Sequence, residues 1–367
     1  MEHDLINPRP APPRAWSPAE LQIDQSWIIR LDDTAVEGFH AALLHAKSAD
    51  KPLFSLTSDD FPLNSAAASA LRQAFGATQT GFGFSLLKGF PVERWSAADA
   101  RLLHWGLGLH VGVARTQNQA SQVMNDVRDE GGSYKVKNGR GYNTNAGLDF
   151  HVDSCDVVAL MCLQTAKQGG TSMVSSSIGV VDEIRRSRPD LLAVMQQAFH
   201  HSYQGAGGPG RPAFYTCPIL GSDPAHFAFR TNRKNIVAAQ RDFEEVPRLT
   251  AQQTELLDLL DMLLPDPRYC YSMTLERGDL QLLNNYAVIH SRTHFEDHEE
   301  PERKRHLLRL WLAVPGSQPL PPEWESYFGD RRPGAVRGGV RGDHITPEFL
   351  AYEERQAAAL GMRYRRP

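Results

Sequence analysis

Residues 150–164 read FHVDSCDVVALMCLQ, a polar His-x-Asp motif followed at once by an apolar run. The run is typical of a buried β-strand, and residues two apart in a strand point to the same side. The sequence therefore predicts that His151 and Asp153 share one side, where an imidazole and a carboxylate can bind one metal ion. Taken alone, the motif has a competing explanation, a surface histidine beside an aspartate that caps a turn.

A second segment, NNYAVIHSRTHFED at 284–297, places His290 at the end of another apolar strand, 139 residues after His151. Two histidines and one carboxylate on one face of a metal leave three adjacent positions open. That arrangement suits an Fe(II) ion that must bind a chelating cosubstrate and dioxygen. A closed structural zinc site would need a fourth protein ligand, so the sequence favours an open iron site.

Other histidines compete with His290 for the third ligand position, namely His294, His298 and His306. His306 is predicted to point away from Arg305, its neighbour in the apolar strand RHLLRLWLAVP at 305–315, because successive strand residues alternate. The other two lie in a polar, charged loop. We therefore predict that His290 is the third ligand.

These motifs together resemble the taurine dioxygenase-like family of Fe(II)/2-oxoglutarate-dependent oxygenases. The resemblance covers roughly residues 80–315 and is carried by FHVD at 150–153, GGTS at 169–172, NNYAVIHSRTHFED at 284–297 and RHLLRLW at 305–311, in that order. It implies an α+β chain with a mainly β core. The implied core is a double-stranded β-helix, jelly-roll and cupin-like, with helices packed outside it.

The resemblance also implies a role for each matching residue. The iron ligands would be His151, Asp153 and His290. Arg305 would bind the distal carboxylate of 2-oxoglutarate, with Thr171 and Ser172 of the GGTS motif beside it, and Arg309 would be a further partner of this cosubstrate. Halogenating members of the family lack the metal-binding carboxylate, so the presence of Asp153 favours hydroxylation, with desaturation left open.

Charge counting supports an arginine in the site. Fe(II) with Asp153 carries one positive charge, the 2-oxoglutarate dianion changes the total to one negative charge, and one guanidinium restores neutrality. Arg305 and Arg309 lie on one face of the predicted strand, about 13 Å apart at about 3.3 Å per residue. They are therefore expected to serve different anions or different ends of one ligand. The alternative is that both pair at the surface with Glu299, Glu300 or Glu302.

The expected activity is hydroxylation of an unactivated C–H bond of a small polar or anionic metabolite, with 2-oxoglutarate and O2 consumed and succinate and CO2 released. Residues 121–149 read as a long polar, glycine-rich loop, and part of it is expected to form a substrate lid. Its candidates for substrate contact are Arg140, Asn143, Thr144 and Asn145. Two rivals stay open: a cupin-like hydrolase, lyase or isomerase that does not use 2-oxoglutarate, and a non-enzymatic ligand sensor on the same barrel.

Composition is that of an ordinary globular chain. Among 367 residues, 41% are hydrophobic and 22% charged, and the formal net charge of -4 offers no general attraction for nucleic acid. The acidic, proline-rich start is unlike a secretory signal, and uninterrupted apolar runs are too short for a membrane span. The four cysteines lack paired spacing, so we expect reduced thiols in the cytoplasm. The partner is expected to be a small molecule, and a homo-oligomer is compatible with these features.

We expect one catalytic domain over residues 1–367. Its predicted parts are an extended arm at 1–14, a core with helical insertions at about 80–315, and a peripheral tail at 316–367 that includes the solvated loop RRPGAVRGGVRGD. A strand is predicted within 81–90. Helices are predicted at 34–48, 65–76, 96–109 and 250–264, and a helical pattern at 179–198 is interrupted by Pro189.

Overall fold

The computed structural model describes residues 11–205, 210, 212–340, 342 and 344–366. The strands are β1 Ile28–Arg30, β2 Phe84–Lys88, β3 Val113–Ala114, β4 Met124–Val127, β5 Val157–Gln164, β6 Gln168–Gly169, β7 Ser172–Ser176, β8 Phe199–Ser202, β9 Phe214–Cys217, β10 Cys270–Met273, β11 Leu280–Asn284, β12 Val288–Arg292, β13 Phe295–Glu296 and β14 His306–Ala313. The helices are α1 Pro18–Ile23, α2 Asp33–Ala49, α3 Ser65–Thr78, α4 Ala97–Val111, α5 Ser177–Ser187, α6 Pro189–Met195, α7 Arg233–Asp242, α8 Ala251–Leu263, α9 Glu325–Phe328 and α10 Pro347–Ala359.

Two sheets carry the core. The larger sheet has the strand order β1-β2-β11-β5-β14-β3, with β4 also paired to β14, and its pairs are antiparallel except for β1 and β2. The smaller sheet has the order β10-β7-β12, and a bridge between His151 and His290 extends it beyond β12. The short pairs β6 with β13 and β8 with β9 complete the strands.

Alternation along β14 decides which side chains enter the space between the sheets. Leu308, Leu310 and Leu312 belong to the apolar cluster on the helix-covered face of the larger sheet. Leu307 and Trp311 belong to a second cluster that also contains residues of the smaller sheet. Burying one such side chain contributes about 1.5–3 kcal/mol, so this register is strongly favoured over a one-residue slip. Odd-numbered positions of β14 therefore face the interior.

Helices cover the outer faces of both sheets. Buried residues of α2, α3, α4 and α10 pack on the larger sheet, and those of α5 to α8 form a cluster with Ile289 behind the smaller one. The helix predictions at 34–48, 65–76, 96–109 and 250–264 are confirmed to within two residues. Thr250 and Gln253 make both hydrogen bonds of a capping box. The helical pattern at 179–198 is divided at Pro189 as predicted, because α5 ends at Ser187 and Pro189 begins α6.

Two predicted elements are corrected. The apolar strand begins only at Val157, so the His-x-Asp motif precedes it, because the backbone at 151–153 bonds to other partners. His151 exchanges backbone hydrogen bonds with His290, and Asp153 N–H donates to the Asn285 side chain. The predicted loop at 121–149 is also interrupted, since β4 lies inside it and pairs with β14.

The chain after residue 315 is not a peripheral, solvated tail, and that prediction is wrong. Arg337 is 1% exposed and pairs with Asp156, and Trp324 and Tyr352 are equally buried. Residues 1–10 of the predicted N-terminal arm lie outside the described residues, and 11–14 contain neither helix nor strand. In the part of the chain that the structure describes, no helix has both the length and the apolar character needed to cross a bilayer.

Candidate active site

Three side chains from two separate parts of the chain meet beside β12, the edge strand of the smaller sheet. Ligand atoms of His151, Asp153 and His290 all lie within 4.8 Å of one another. His290 Nε2 is 3.8 Å from Asp153 Oδ2, and the two imidazole centroids are 4.5 Å apart. The convergence predicted from two distant sequence segments is thus present in the fold.

Backbone pairing explains the convergence. His151 and His290 face each other across a bridge, with N···O distances of 2.9 and 3.1 Å. His151 Nδ1 lies 2.8 Å from the Asp149 carbonyl oxygen, which only accepts, so Nδ1 carries the proton and Nε2 keeps its lone pair. Asn285 holds Asp153 through a 3.0 Å bond from the Asp153 N–H. The backbone therefore places all three residues, and the His151 imidazole is oriented before a metal binds.

The electrostatics suit a cation. Burial lowers the pKa of His290 to about 3, with a smaller contribution from His151, and burial also lowers the pKa of His151. Both rings are neutral at pH 7 and can donate lone pairs. Burial acts to raise the pKa of Asp153, but the positive charge of Arg309 and the two histidines bring it below its ordinary value.

One carboxylate oxygen of Asp153 indicates where a cation would bind. Asp153 Oδ2 is buried and has no hydrogen-bond partner among the described residues. A buried carboxylate oxygen left in this state is costly unless something compensates it. Two imidazoles and one carboxylate with three open positions fit Fe(II), so these residues are suited to hold it.

Arg309 contacts Asp153, one member of the triad His151, Asp153 and His290. Its Nη1 lies 3.4 Å from Asp153 Oδ1, and its Nε donates to Gln117 Oε1 at 2.8 Å. Gln117 in turn donates to the backbone carbonyl of Arg309. The alternative of surface pairing with the glutamates at 299, 300 and 302 is therefore wrong for Arg309.

Arg305 lies in the same cavity but keeps a free donor. It is 5% exposed, its Nη1 has no hydrogen-bond partner, and it makes no ion pair with a carboxylate among the described residues. Its guanidinium stacks 5.0 Å from the Phe295 ring, and Arg292 stacks on the same ring at 4.8 Å. Surface pairing is wrong here too, since Glu300 pairs with Arg303 instead. Arg292 and Arg305 are neighbouring buried guanidinium groups that form no ion pair with any described carboxylate, an arrangement suited to binding a carboxylate ligand.

The GGTS motif lies beside Arg305. Gly170 has a φ of +69°, and a Cβ there would lie 3.0 Å from Arg305 Nε, so only glycine lets the guanidinium approach. Ser172 lines the cavity and donates to Gln281 Oε1 at 3.1 Å. Thr171 is not part of the cavity lining, and its backbone N–H bonds to Thr293 Oγ1 at 3.0 Å.

Only one of the predicted substrate residues reaches the cavity. Arg140 lines it, whereas Asn143, Thr144 and Asn145 are not among its lining residues. Their polar groups hold the loop together: Thr144 Oγ1 accepts from Ala146 N, and the Asn145 carbonyl accepts from Phe295 N. They act as turn formers, a common use of these residue types.

The competing histidines are placed elsewhere. His306 points to the other side of the sheet, where its Nε2 lies 2.7 Å from Asp126 Oδ1. His294 and His298 are absent from the cavity lining, which contains His151 and His290. His290 is the histidine that the fold brings to Asp153.

The sequence did not single out five residues of the site. Four of them line the cavity, Gln117, Arg230, Lys234 and Arg292, and the fifth, Asn285, accepts a hydrogen bond from Asp153 N. Arg292 carried a usable signal, because it lies two residues after His290 in a strand and so shares its side. No sequence pattern of comparable strength placed Arg230 and Lys234 in the site, since an Arg/Lys-rich stretch is usually solvated.

An open centre of two histidines and an aspartate, with buried unpaired guanidinium groups beside it, defines the chain as a mononuclear non-haem metal enzyme. The family described as "Taurine catabolism dioxygenase TauD, TfdA family" matches residues 49–311. The chain belongs to this family. It is a non-haem iron dioxygenase, an oxidoreductase that uses Fe(II), 2-oxoglutarate and O2.

Known proteins agree with this assignment. FR-33289 synthase of Streptomyces rubellomurinus is 30% identical over 318 residues, which cover 83% of this chain and 91% of the relative. A structure of asparagine oxygenase with Fe(II), 2S,3S-3-hydroxyasparagine and succinate is similar with a TM-score of 0.55 at 17% identity, covering 78% of this chain and 93% of that one. The non-heme iron oxygenase OrfP, with Fe and alpha-ketoglutaric acid, has a TM-score of 0.57 at 13% identity and the same coverages. At these identities the two structures show the fold alone.

Proposed function

We propose that this chain hydroxylates an unactivated C–H bond of a small polar or anionic metabolite, with release of succinate and CO2. The main support is the triad, in which the buried Asp153 Oδ2 has no hydrogen-bond partner among the described residues. Arg305 lies in the same cavity, and its Nη1 also has no partner there. When bound, iron and 2-oxoglutarate supply the oxidising chemistry. The chain's residues bind, orient and shield the reactants.

The two arginines take different roles in this proposal. Arg305 binds the distal carboxylate of 2-oxoglutarate, because its Nη1 is free and its charge is unmatched, and Ser172 lines the same part of the cavity. Arg309 is already bonded to Asp153 and Gln117, so it positions the metal-binding carboxylate and keeps it ionised. Thr171 contributes through its backbone, which bonds to Thr293 beside β12.

We infer that the two facing sheets form a double-stranded β-helix within one catalytic domain. The apolar cluster shared by both sheets supports this, as do antiparallel pairs throughout the smaller sheet. We place the enzyme in the cytoplasm, since Cys155, Cys162, Cys217 and Cys270 are all free thiols.

Anaerobic titration of the Fe(II)-loaded protein with 2-oxoglutarate tests the proposal. We expect the weak visible charge-transfer absorption of a chelated 2-oxo acid, and its loss in His290→Ala. His306→Ala is the matched control, because its imidazole lies on the opposite side of the sheet, and it should keep the absorption. Iron bound without this absorption at saturating 2-oxoglutarate would contradict the proposal and favour a cupin-like enzyme of another class.

A further inference from the structure

The cavity contains more positive charge than iron and 2-oxoglutarate explain. Its lining includes six cationic side chains, Arg140, Arg230, Lys234, Arg292, Arg305 and Arg309, against the single carboxylate of Asp153. Because the charges of Fe(II) and the 2-oxoglutarate dianion cancel, the excess of positive charge persists in the loaded enzyme. Buried charge of one sign is unfavourable, so a further anion is needed to complete the site.

Arg230 is the most deeply buried of the cations without an assigned role. It is 3% exposed, and its Nε and Nη1 have no hydrogen-bond partner among the described residues. Its Nη2 donates to Tyr215 at 2.7 Å, and its guanidinium lies 4.0 Å from the Tyr327 ring. The aromatic rings fix the guanidinium plane and leave one edge available for an acceptor.

Lys234 lies close by, in the first turn of α7. Its ammonium lies 4.6 Å from the Tyr134 ring and donates to the Gly139 carbonyl, and it forms no ion pair with a described carboxylate. Asn232 caps the N-terminus of the helix, its side chain accepts from Asn235 N, and both asparagines line the cavity. The positive end of the helix dipole therefore adds to the charge of Lys234.

Arg140 and Gln204 approach from two loops. Arg140 donates to the Gln204 carbonyl at 3.1 Å and is likewise without an ion pair among the residues described. The Gln204 side-chain amide is 3% exposed, and neither its nitrogen nor its oxygen has a hydrogen-bond partner within the described part of the chain. A buried amide in this state has hydrogen-bonding capacity left for a ligand.

Backbone pairing joins this group to the metal centre. Residues 230–232 run beside the His-x-Asp motif, with a bridge between Asn232 and His151 and a hydrogen bond from Val152 N to Thr231 O. Alternation turns Arg230 and Asn232 to one side, and both line the cavity that contains the triad. A ligand held by these cations is therefore in the same space as the iron ligands.

We propose that Arg140, Arg230 and Lys234 bind a doubly charged tetrahedral oxyanion of the substrate, a phosphate monoester or a phosphonate. Three cations exceed what one carboxylate neutralises, whereas a dianion matches them more closely. They come from a loop, an extended segment and a helix, so their donors surround a ligand from several directions, as an anion with three terminal oxygens requires. This inference rests on the proposed function, because it assigns the substrate of that site.

Calorimetric titration of the anaerobic complex with Fe(II) and 2-oxoglutarate tests the proposal. The probes are propylphosphonate and ethyl phosphate, which distinguish the two sources of the anion, with propanesulfonate as a tetrahedral monoanion and butyrate as a planar one. We expect one or both dianions to bind saturably and more tightly than either monoanion. Arg230→Met and Lys234→Met should each weaken that binding by roughly ten- to a hundredfold, the loss typical of a charged hydrogen bond.

Arg233→Met is the matched control, because Arg233 pairs with Asp258 and Asp261 outside the cavity, and it should leave binding unchanged. Lys234 is only half-buried, so its variant keeps the test decisive if Arg230→Met fails to fold. Equal binding of propanesulfonate and the dianions, or dianion binding unaffected by Lys234→Met, would overturn the inference. The charge-transfer absorption, recorded on the same samples, separates this failure from failure of the proposed function.

Discussion

Replacing Arg337 with methionine tests how the chain after residue 315 stabilises the core. Arg337 Nε lies 2.8 Å from Asp156 Oδ1, and the two side chains are 0% and 1% exposed. Removing one partner of a buried ion pair leaves an uncompensated charge and typically costs about 3–5 kcal/mol. Tyr286 O–H and Val314 N–H still donate to Asp156, at 2.5 and 3.0 Å, which favours the lower end of that range.

The assay is equilibrium unfolding in urea, with the free energy of unfolding compared between variants. Arg331→Met is the control, since its 3.4 Å pair with Glu325 is exposed and should contribute no more than about 1 kcal/mol. The double variant Asp156→Asn/Arg337→Met has no uncompensated carboxylate. Its loss in the free energy of unfolding should therefore be smaller than the sum of the losses in the two single variants. A loss below about 1 kcal/mol for Arg337→Met would refute the reasoning.

Three further outcomes are expected. Arg305→Ala should raise the dissociation constant of 2-oxoglutarate by roughly ten- to a hundredfold while iron still binds, whereas the exposed Arg303→Ala should not; equal titration curves would count against the assignment. Gly170→Ala should weaken 2-oxoglutarate binding in the same titration, because a Cβ would displace Arg305 and strain a positive φ. Burial, and to a smaller extent the charge of Arg140, lowers the pKa of Lys234 to about 8. Ethyl phosphate has its second pKa at about 6 and is already a dianion there, so its affinity should fall as the pH rises through 8. Lys234→Arg should abolish that fall, and a fall of the same size in this variant would contradict it. Other charged groups that act on Lys234 are Asp149 and Arg241.

Features set by local chemistry could be predicted from the sequence, and those set by distant partners could not. The helix at 250–264 and the shared side of Arg305 and Arg309 follow from capping and from strand alternation. The burial of Arg337 depends on Asp156, 181 residues earlier in the chain. Arg230 likewise contacts Tyr215 and Tyr327, and no local sequence pattern connects these tyrosines to it.

The His-x-Asp motif precedes its strand, and the C-terminal segment contributes hydrogen bonds that hold the residues just after it. Outside a ladder, residues 152–156 cannot be held by strand pairing alone. Asn285 bonds to Asp153 N and to the Asp156 carbonyl, and Gly339 N–H bonds to the Ser154 carbonyl at 2.6 Å. Arg337 fixes Asp156 from the same segment as Gly339. Loosening that segment should therefore weaken iron binding as well as stability, so Arg337→Met should need more Fe(II) for the charge-transfer absorption than Arg331→Met does.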